Sequence, residues 1–427
     1  MRNKSLERIL AIALGVVLIS SSMAFAAEQS VGLQTVLTEA LEKNPTIIEA
    51  EQNWQVELNK ITPAKTPPNP KFAIMRDEIP AGSSKISDGM MTSYTLSQEI
   101  MYPGKLSLMG KMAASNARMS RTDYLEKKLQ VYTDTKQAYY DSLYASKALV
   151  IEQENQQLMG QLVQIAQVNY STGMVPLQDA LKAQTEYSQM TTELVNMAAM
   201  GSVAKARLNV LMGRNPNMAI ELAEEFPAPP PNFDFEALQK QALSEKPALQ
   251  GMLNKLDMAQ SGVELAKKQR KPDFELSLQY NDQKPDEMGA DKDTWSVELM
   301  AMLPIYGGKN KAEISGAKAT QEAARASLTA MQNMTQLDVQ MALVKAQTAW
   351  RQSELYQKNI IPQAEITYQA SVVNYTNAKV DIMAVLENLR TLRSAKLAHY
   401  KSKVDYEMAI AELEKAIGKP LFSGISL

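Results

Sequence analysis

The stretch DFELSLQYND, residues 273–282, decides the fold. Phe274, Leu276, Leu278 and Tyr280 fall on one side of an extended chain, and Glu275, Ser277, Gln279 and Asn281 on the other. Period-two alternation over about ten residues is what a strand between lipid and water needs, although a half-buried strand of a soluble sheet carries the same pattern. Beyond a polar loop, Lys284–Asp293, Trp295, Val297, Leu299, Ala301 and Leu303 oppose Thr294, Ser296 and Glu298, with Met300 and Met302 blurring the polar side. An earlier segment repeats the pattern more weakly. There Tyr94, Leu96 and Ile100 stand against Ser93, Thr95, Ser97 and Glu99, after a loop at Ala81–Gly89 and a faint partner strand near Phe72 and Ile74. Strand pairs are expected over about 70–101 and 273–303. Four strands cannot close a membrane barrel, which starts at about eight, and lipid does not tolerate an open edge. If these strands span a membrane, several chains must share one barrel.

The chain is written twice around these strands. Ala40-Leu41-Glu42-Lys43-Asn44-Pro45 returns 202 residues later as Ala242-Leu243-Ser244-Glu245-Lys246-Pro247. Gly104-Lys105 returns after 204 residues as Gly308-Lys309. Val168-Asn169-Tyr170 returns after 205 as Val373-Asn374-Tyr375, and Leu211-Met212-Gly213 after 205 as Ala416-Ile417-Gly418. One order at nearly one spacing marks an internal duplication. Each copy opens with two short helices (Val31–Lys43 and Thr46–Ile61; Phe235–Glu245 and Ala248–Gln269), passes through its strand pair and ends in a long helical hairpin, about 104–213 and 307–418. Residues 27–226 and 232–427 are the expected repeats, joined by the stiff connector Pro227-Ala228-Pro229-Pro230-Pro231.

The long helices have their own signature. Lys105 to Tyr170 contains no proline, and a helix of that length reaches on the order of 100 Å at about 1.5 Å per residue. Its counterpart, Lys309 to Tyr375, holds Pro362, where a kink or break is expected. Leu125, Leu129, Tyr132, Tyr139 and Leu143 step by threes and fours, and Leu158, Leu162 and Ile165 resume after a shift of phase. In the last helix Val385, Leu389, Leu392, His399, Tyr406, Ile410, Leu413 and Ile417 keep a heptad register, with Lys396 and Lys403 as polar interruptions. One apolar seam packs neighbouring helices while the other faces meet water.

Composition narrows the chemistry. In 427 residues there is no cysteine, so disulfides, thiolate catalysis and zinc–cysteine sites are excluded. The net charge of −2 does not describe a nucleic-acid surface. His399 is the single histidine and sits on a packing seam without a ligand partner at metal spacing; no glycine-rich phosphate loop and no nucleophile elbow occur. No enzyme, cofactor or bound metal is expected. Among 26 methionines, Met90, Met91, Met101, Met109, Met112 and Met119 cluster near the first strand pair; thioethers suit soft cations, but more often they fill helix seams. At the N-terminus Arg2, Lys4 and Arg8 precede an apolar run from Ile9 to Ile19 and then Ala24-Phe25-Ala26, the order of a secretory signal peptide over residues 1–26.

An exported, duplicated chain with two strand pairs and two long helical hairpins resembles the TolC family of outer-membrane efflux proteins. The match rests on LQTVLTEALEKNP (Leu33–Pro45), on the Gly-Lys pairs after the second and fourth strands, and on Tyr170-Ser171-Thr172-Gly173 leading into Leu177-Gln178-Asp179-Ala180-Leu181. The resemblance implies a mostly α protein with a membrane β-barrel: a homotrimer in outer-membrane lipid with one shared twelve-stranded barrel and a periplasmic helical tunnel. It implies a periplasmic adaptor and an inner-membrane pump as partners, and passive conduction. It also implies a gate at the helix-to-helix turns, here Ser171–Pro176 and Thr376–Val380, for which Asp179, Asp381 and Glu387 are the candidates. Crowded carboxylates there would select cations, although acids at helix starts are also simply favoured by the helix dipole. Thr172, Gly173, Met174, Asn377, Ala378 and Lys379 are the candidate adaptor contacts. Two alternatives stay open: the duct of a type I protein secretion system, and a periplasmic adaptor or coiled-coil scaffold, which would lack two membrane strand pairs.

Overall fold

A computed structural model describes residues 30–224, 226, 233–284 and 293–421. The signal peptide, the 227–231 connector and most of the second loop lie outside these residues. In chain order the elements are α1 (Leu33–Lys43), α2 (Pro45–Asn59), α3 (Ile61–Lys65), β1 (Lys71–Asp77), β2 (Met91–Ile100), α4 (Lys105–Ser171) and α5 (Leu177–Leu211). There follow α6 (Phe235–Glu245), α7 (Pro247–Lys268), β3 (Asp273–Gln283), β4 (Thr294–Met302), α8 (Gly307–Leu355), a π-helical turn (Tyr356–Ile360), α9 (Ile361–Thr376) and α10 (Ile382–Ile417). Contacts group them into two compact units. The first takes Met1–Asn44, Val131–Pro231 and Lys345–Ala411, and the second Pro45–Gln130, Asn232–Val344 and Glu412–Leu427, each within the described residues.

The second unit holds a single four-stranded antiparallel sheet in the order β1-β2-β3-β4. Pairing of β2 with β3, from Met91↔Gln283 to Ile100↔Phe274, joins strands of the two sequence copies. The faint strand near Phe72 is real: β1 pairs along its whole length with β2, from Lys71↔Ser97 to Asp77↔Met91. Register places Phe72, Ile74, Tyr94, Leu96, Leu276, Leu278, Tyr280, Trp295, Val297 and Leu299 on one face and Ser93, Thr95, Ser97, Glu99, Glu275, Ser277, Gln279, Asn281 and Glu298 on the other. The apolar face is bare: Phe72, Ile74, Trp295, Val297 and Leu299 are each more than 60% exposed. Such a row of large side chains facing water is not a soluble arrangement. Where the strands enter the helices, the buried Lys105 Nζ bonds Asp273 Oδ2 at 2.7 Å and Lys271 O at 3.1 Å, and Asp273 Oδ1 accepts from Tyr102 N.

The first unit is a bundle built from two hairpins. Met159, Leu162 and Ala166 of α4, Ala183 and Met190 of α5, Tyr368 and Tyr375 of α9, and Ile382, Val385, Leu389 and Leu392 of α10 form its core. The apolar heptad positions read from α10 are all buried and so is His399, whereas the interruptions Lys396 and Lys403 are half-buried. Its Nδ1 lies 3.1 Å from Ser353 O, and burial pushes the imidazole pKa down, so it is a neutral, packed seam residue.

Two closing contacts recur. Gly213, at φ +69, packs its Cα against Lys43 O so closely that a Cβ would lie 2.8 Å away, and Asn44 Nδ2 bonds Leu211 O. Gly418, at φ +95, sits on the Lys246–Pro247 corner with the same lack of room, 2.8 Å from Lys246 Cα. Each hairpin thus ends on the corner between the two short helices that open its copy, and only glycine supplies both the left-handed backbone and the close approach.

The long helices differ. Helix α4 runs 67 residues without interruption, whereas its counterpart is broken into α8, the π-turn and α9 at Pro362. The landmark spacing explains the form of the break. It is 204 residues at the Gly-Lys pairs and 205 at the Asn-Tyr pairs, so the second copy carries one extra residue between them. A π-turn is how a helix stores one added residue without losing its seam, and it also relieves the contact between the proline ring and the preceding turn.

Candidate gate at the helical turns

Both hairpin turns are closed by backbone bonds from a left-handed residue. At the first, Gly173 (φ +74) donates to Tyr170 O at 3.0 Å and Met174 N to Asn169 O at 2.8 Å. At the second, Ala378 (φ +49) donates to Tyr375 O and Lys379 N to Asn374 O, both at 2.9 Å. The two turns are therefore one motif despite different sequences, the second with alanine where glycine is favoured. Thr172, Gly173, Met174, Asn377, Ala378 and Lys379 are all exposed at the tips.

Asp179 and Asp381 each follow a turn, and the fold brings them together. Asp179, in the first turn of α5, is buried, with Oδ2 accepting from the Tyr375 hydroxyl at 3.5 Å. Tyr375 is itself pinned through its carbonyl, which accepts from Asn169 Nδ2 at 3.1 Å. Burial, reinforced by Asp381, pushes the Asp179 carboxyl above the usual aspartate range, with Lys182 and Tyr375 pulling the other way. Burial and the Asp179 charge push the Tyr375 phenol up to about 12. Asp381 is exposed and caps α10, accepting from Met383 N at 2.9 Å. Asp381 is thus a helix cap, and Asp179 is a desolvated carboxylate in the first turn of α5, held against a tyrosine.

Glu387 stands apart from this pair. It is exposed and lies 3.8 Å from Arg390. Arg390 makes its main contact with the mostly buried Glu186, a two-pronged pair with Nε–Oε1 at 3.0 Å and Nη2–Oε2 at 2.6 Å. One turn on, Arg393 Nε bonds Oε1 of the fully buried Glu152 at 2.8 Å, and Lys396 reaches Glu154 at 3.4 Å. Arg390, Arg393 and Lys396 make a basic row that ties α10 to α5 and α4. Reading the sequence missed all of it, because these partners are about 200 or more residues apart and each looks like a solvated helix charge. Beside this row a groove of about 580 Å³ is lined by Leu177, Leu181, Glu186, Met383, Leu386 and Arg390.

No described residues form a cluster of three or more His, Asp or Glu able to hold a metal. Of the methionines near the first strand pair, Met90 is half exposed. No helix among the described residues is long and apolar enough to cross a membrane. The exposed apolar face is the sheet's.

The model of the outer membrane efflux protein family matches residues 36–214 and 238–419. The chain belongs to that family. It is 23% identical over 296 residues to the cobalt-zinc-cadmium resistance protein CzcC of Cupriavidus metallidurans, a match spanning 66% of each chain, just under two thirds. It is 20% identical over 407 residues to outer membrane protein TolC of Vibrio cholerae, 90% of each chain. Among solved structures, the outer-membrane channel OprN superposes with a TM-score of 0.77 at 16% identity, over 90% of this chain and 89% of that one. The chain is thus an outer-membrane efflux channel that extends into the periplasm, a passive conduit and not an enzyme.

Proposed function

We propose that the mature chain is one third of a homotrimeric exit duct that receives substrate from an inner-membrane pump through a periplasmic adaptor. The observation that carries this reading is the sheet: four strands, an exposed apolar face and two open edges, β1 and β4. Three copies supply twelve strands and close every edge, which lipid demands. Residues 1–26 serve as the export signal, and 27–226 and 232–427 are the two repeats, joined by 227–231. The polar sheet face lines the pore, and Glu99, Glu275 and Glu298 on it favour cations. Asp179 and Asp381, with Glu387 further from the aperture, set the closed end, and the exposed residues 172–174 and 377–379 meet the adaptor.

Two measurements test this. Outer membranes should yield a heat-sensitive trimer, and a salt-released monomer would contradict the duct. In planar bilayers Asp179→Ala or Asp381→Ala should raise single-channel conductance; unchanged conductance and selectivity would remove that residue from the gate.

A further inference from the structure

The two ends of the sheet carry opposite charge. At the end bearing the 81–89 loop, Asp77, Glu78, Asp88, Asp282 and Asp293 outnumber Arg76, Lys85 and Lys284 among the described residues. Arg76 is moreover tied down by Thr92 Oγ1 and Gly89 O. At the end where the strands enter the helices, the segments around Tyr102, Lys271 and Leu303 lie side by side: Tyr102 N bonds Asp273, Lys105 bonds Lys271 O, and Asp273 pairs with Met302. Here Arg270, Lys271 and Lys311 are exposed and have no carboxylate partner among the described residues. Lys268 is held over the Tyr102 ring at 5.6 Å, its Nζ donating to Pro103 O at 3.1 Å. Of the nearby acids, Asp273 is engaged by Lys105, Glu264 by Lys267 and Glu313 by Lys309, while Glu99 and Glu275 stand on the opposite, polar face of the sheet. A chain of net charge −2 does not present such an excess by composition alone.

The same rim is apolar as well as basic. Leu303, Ile305 and Tyr306 follow β4 and are all at least 66% exposed, continuing the bare face that ends with Val297 and Leu299. Apolar side chains and a tyrosine at the margin of a lipid-facing surface, with unpaired cations directly beyond, match the boundary where acyl chains give way to phosphates.

We propose that this rim is a seat for anionic phospholipid of the periplasm-facing leaflet: Arg270, Lys271 and Lys311 take the phosphodiester, and Leu303, Ile305 and Tyr306 pack on the first carbons of the chains. Guanidinium and ammonium donors suit a phosphate oxygen, and the site lies where that group must sit if the bare face is in hydrocarbon. The seat fixes the depth of the barrel from its periplasmic side, while the acidic opposite end repels the same headgroups. This rests on the outer-membrane channel reading of the sheet.

The test uses the full mature oligomer in vesicles of phosphatidylcholine with and without phosphatidylglycerol, with the lipids retained on the protein quantified by native mass spectrometry. Wild type should retain phosphatidylglycerol over phosphatidylcholine, and added salt should erode the preference. R270Q/K271Q/K311Q should lower it on the order of a hundredfold, at about fivefold per cation near the surface. R270K/K271R should keep it, and so should K85Q at the opposite end. Equal retention of the two lipids, a preference indifferent to salt, or a preference that survives the triple variant would overturn the proposal. The salt series on wild type decides even if the triple variant does not assemble. Channel conductance in pure phosphatidylcholine is read in parallel: its presence with no lipid preference refutes the seat alone, and its absence refutes the channel on which the seat rests.

Discussion

The two long hairpins descend from one pattern, yet they handle the same task with different backbones. The first, α4 with α5, is an unbroken 67-residue helix and a turn whose left-handed position is Gly173. The second interrupts its long helix with a π-turn next to Pro362 and makes its turn with Ala378 in the left-handed region. Where the copies cannot differ, they do not. Gly213 and Gly418 both sit against backbone with no room for a methyl group. The difference teaches that the helix tolerates an added residue and a strained turn as long as the seam and the closing corner are kept, because the buried seam contributes far more than one regular turn.

The comparison can be broken at its ties, and the largest effect is expected there. Arg393→Ala leaves Glu152, fully buried and with Oε2 already unpartnered, without its cation. The loss should be about 3–5 kcal/mol by denaturant unfolding, with much of it recovered when Glu152→Gln is added. A loss below about 1 kcal/mol would mean that α10 is held by its seam alone. Next come the closing corners: Gly213→Ala and Gly418→Ala should each cost at least about 2 kcal/mol, since left-handed strain and a backbone clash add together, and the two costs should be alike. Unequal costs would show that the duplicated corners have different duties.

Smaller effects sharpen the contrast. If the π-turn stores an extra residue, Pro362→Ala should change stability by less than about 1 kcal/mol, because the turn already accommodates the ring; a gain near 3 kcal/mol would mean that the ring is still clashing. Ala378→Gly should stabilise the second turn by about 1 kcal/mol, and Gly173→Ala should destabilise the first by a similar amount. Acidity should act on the first turn through Asp179. Its carboxyl is raised by burial, so the packed arrangement of this turn is fully favoured below the ordinary aspartate range and loses that contribution as pH rises through the raised value. On the proposed gate reading, conductance should fall on acidification across that window, and Asp179→Asn should abolish the dependence; an unaltered pH profile in the variant would exclude Asp179 as its source.

Much of this was legible in the chain. Strands β3 and β4 declared themselves because their two faces meet different solvents, and the α10 seam because its heptad steps are apolar or neutral apart from Lys396 and Lys403. Strand β1 was faint because it is short and its polar-side positions include Ala73 and Met75, which do not look polar. Pro362 announced a break, but its form needed the count of landmark spacings on either side. Asp179 and Asp381 stood out as acids beside turns. The Tyr375 contact that separates their roles did not, since it joins residues 196 apart, and the Glu152–Arg393 tie lay hidden for the same reason.

The open sheet edges are the premise from which trimer, barrel and duct all follow. The chain has no cysteine, so pairs introduced one on β1 and one on β4, scanned along the pore-facing positions from Ala73 to Met75 and from Thr294 to Glu298, report without background. After oxidation in membranes, denaturing gels should show a ladder ending at a covalent trimer. Crosslinks confined to monomers would mean that the sheet closes on itself, and the shared barrel would be wrong.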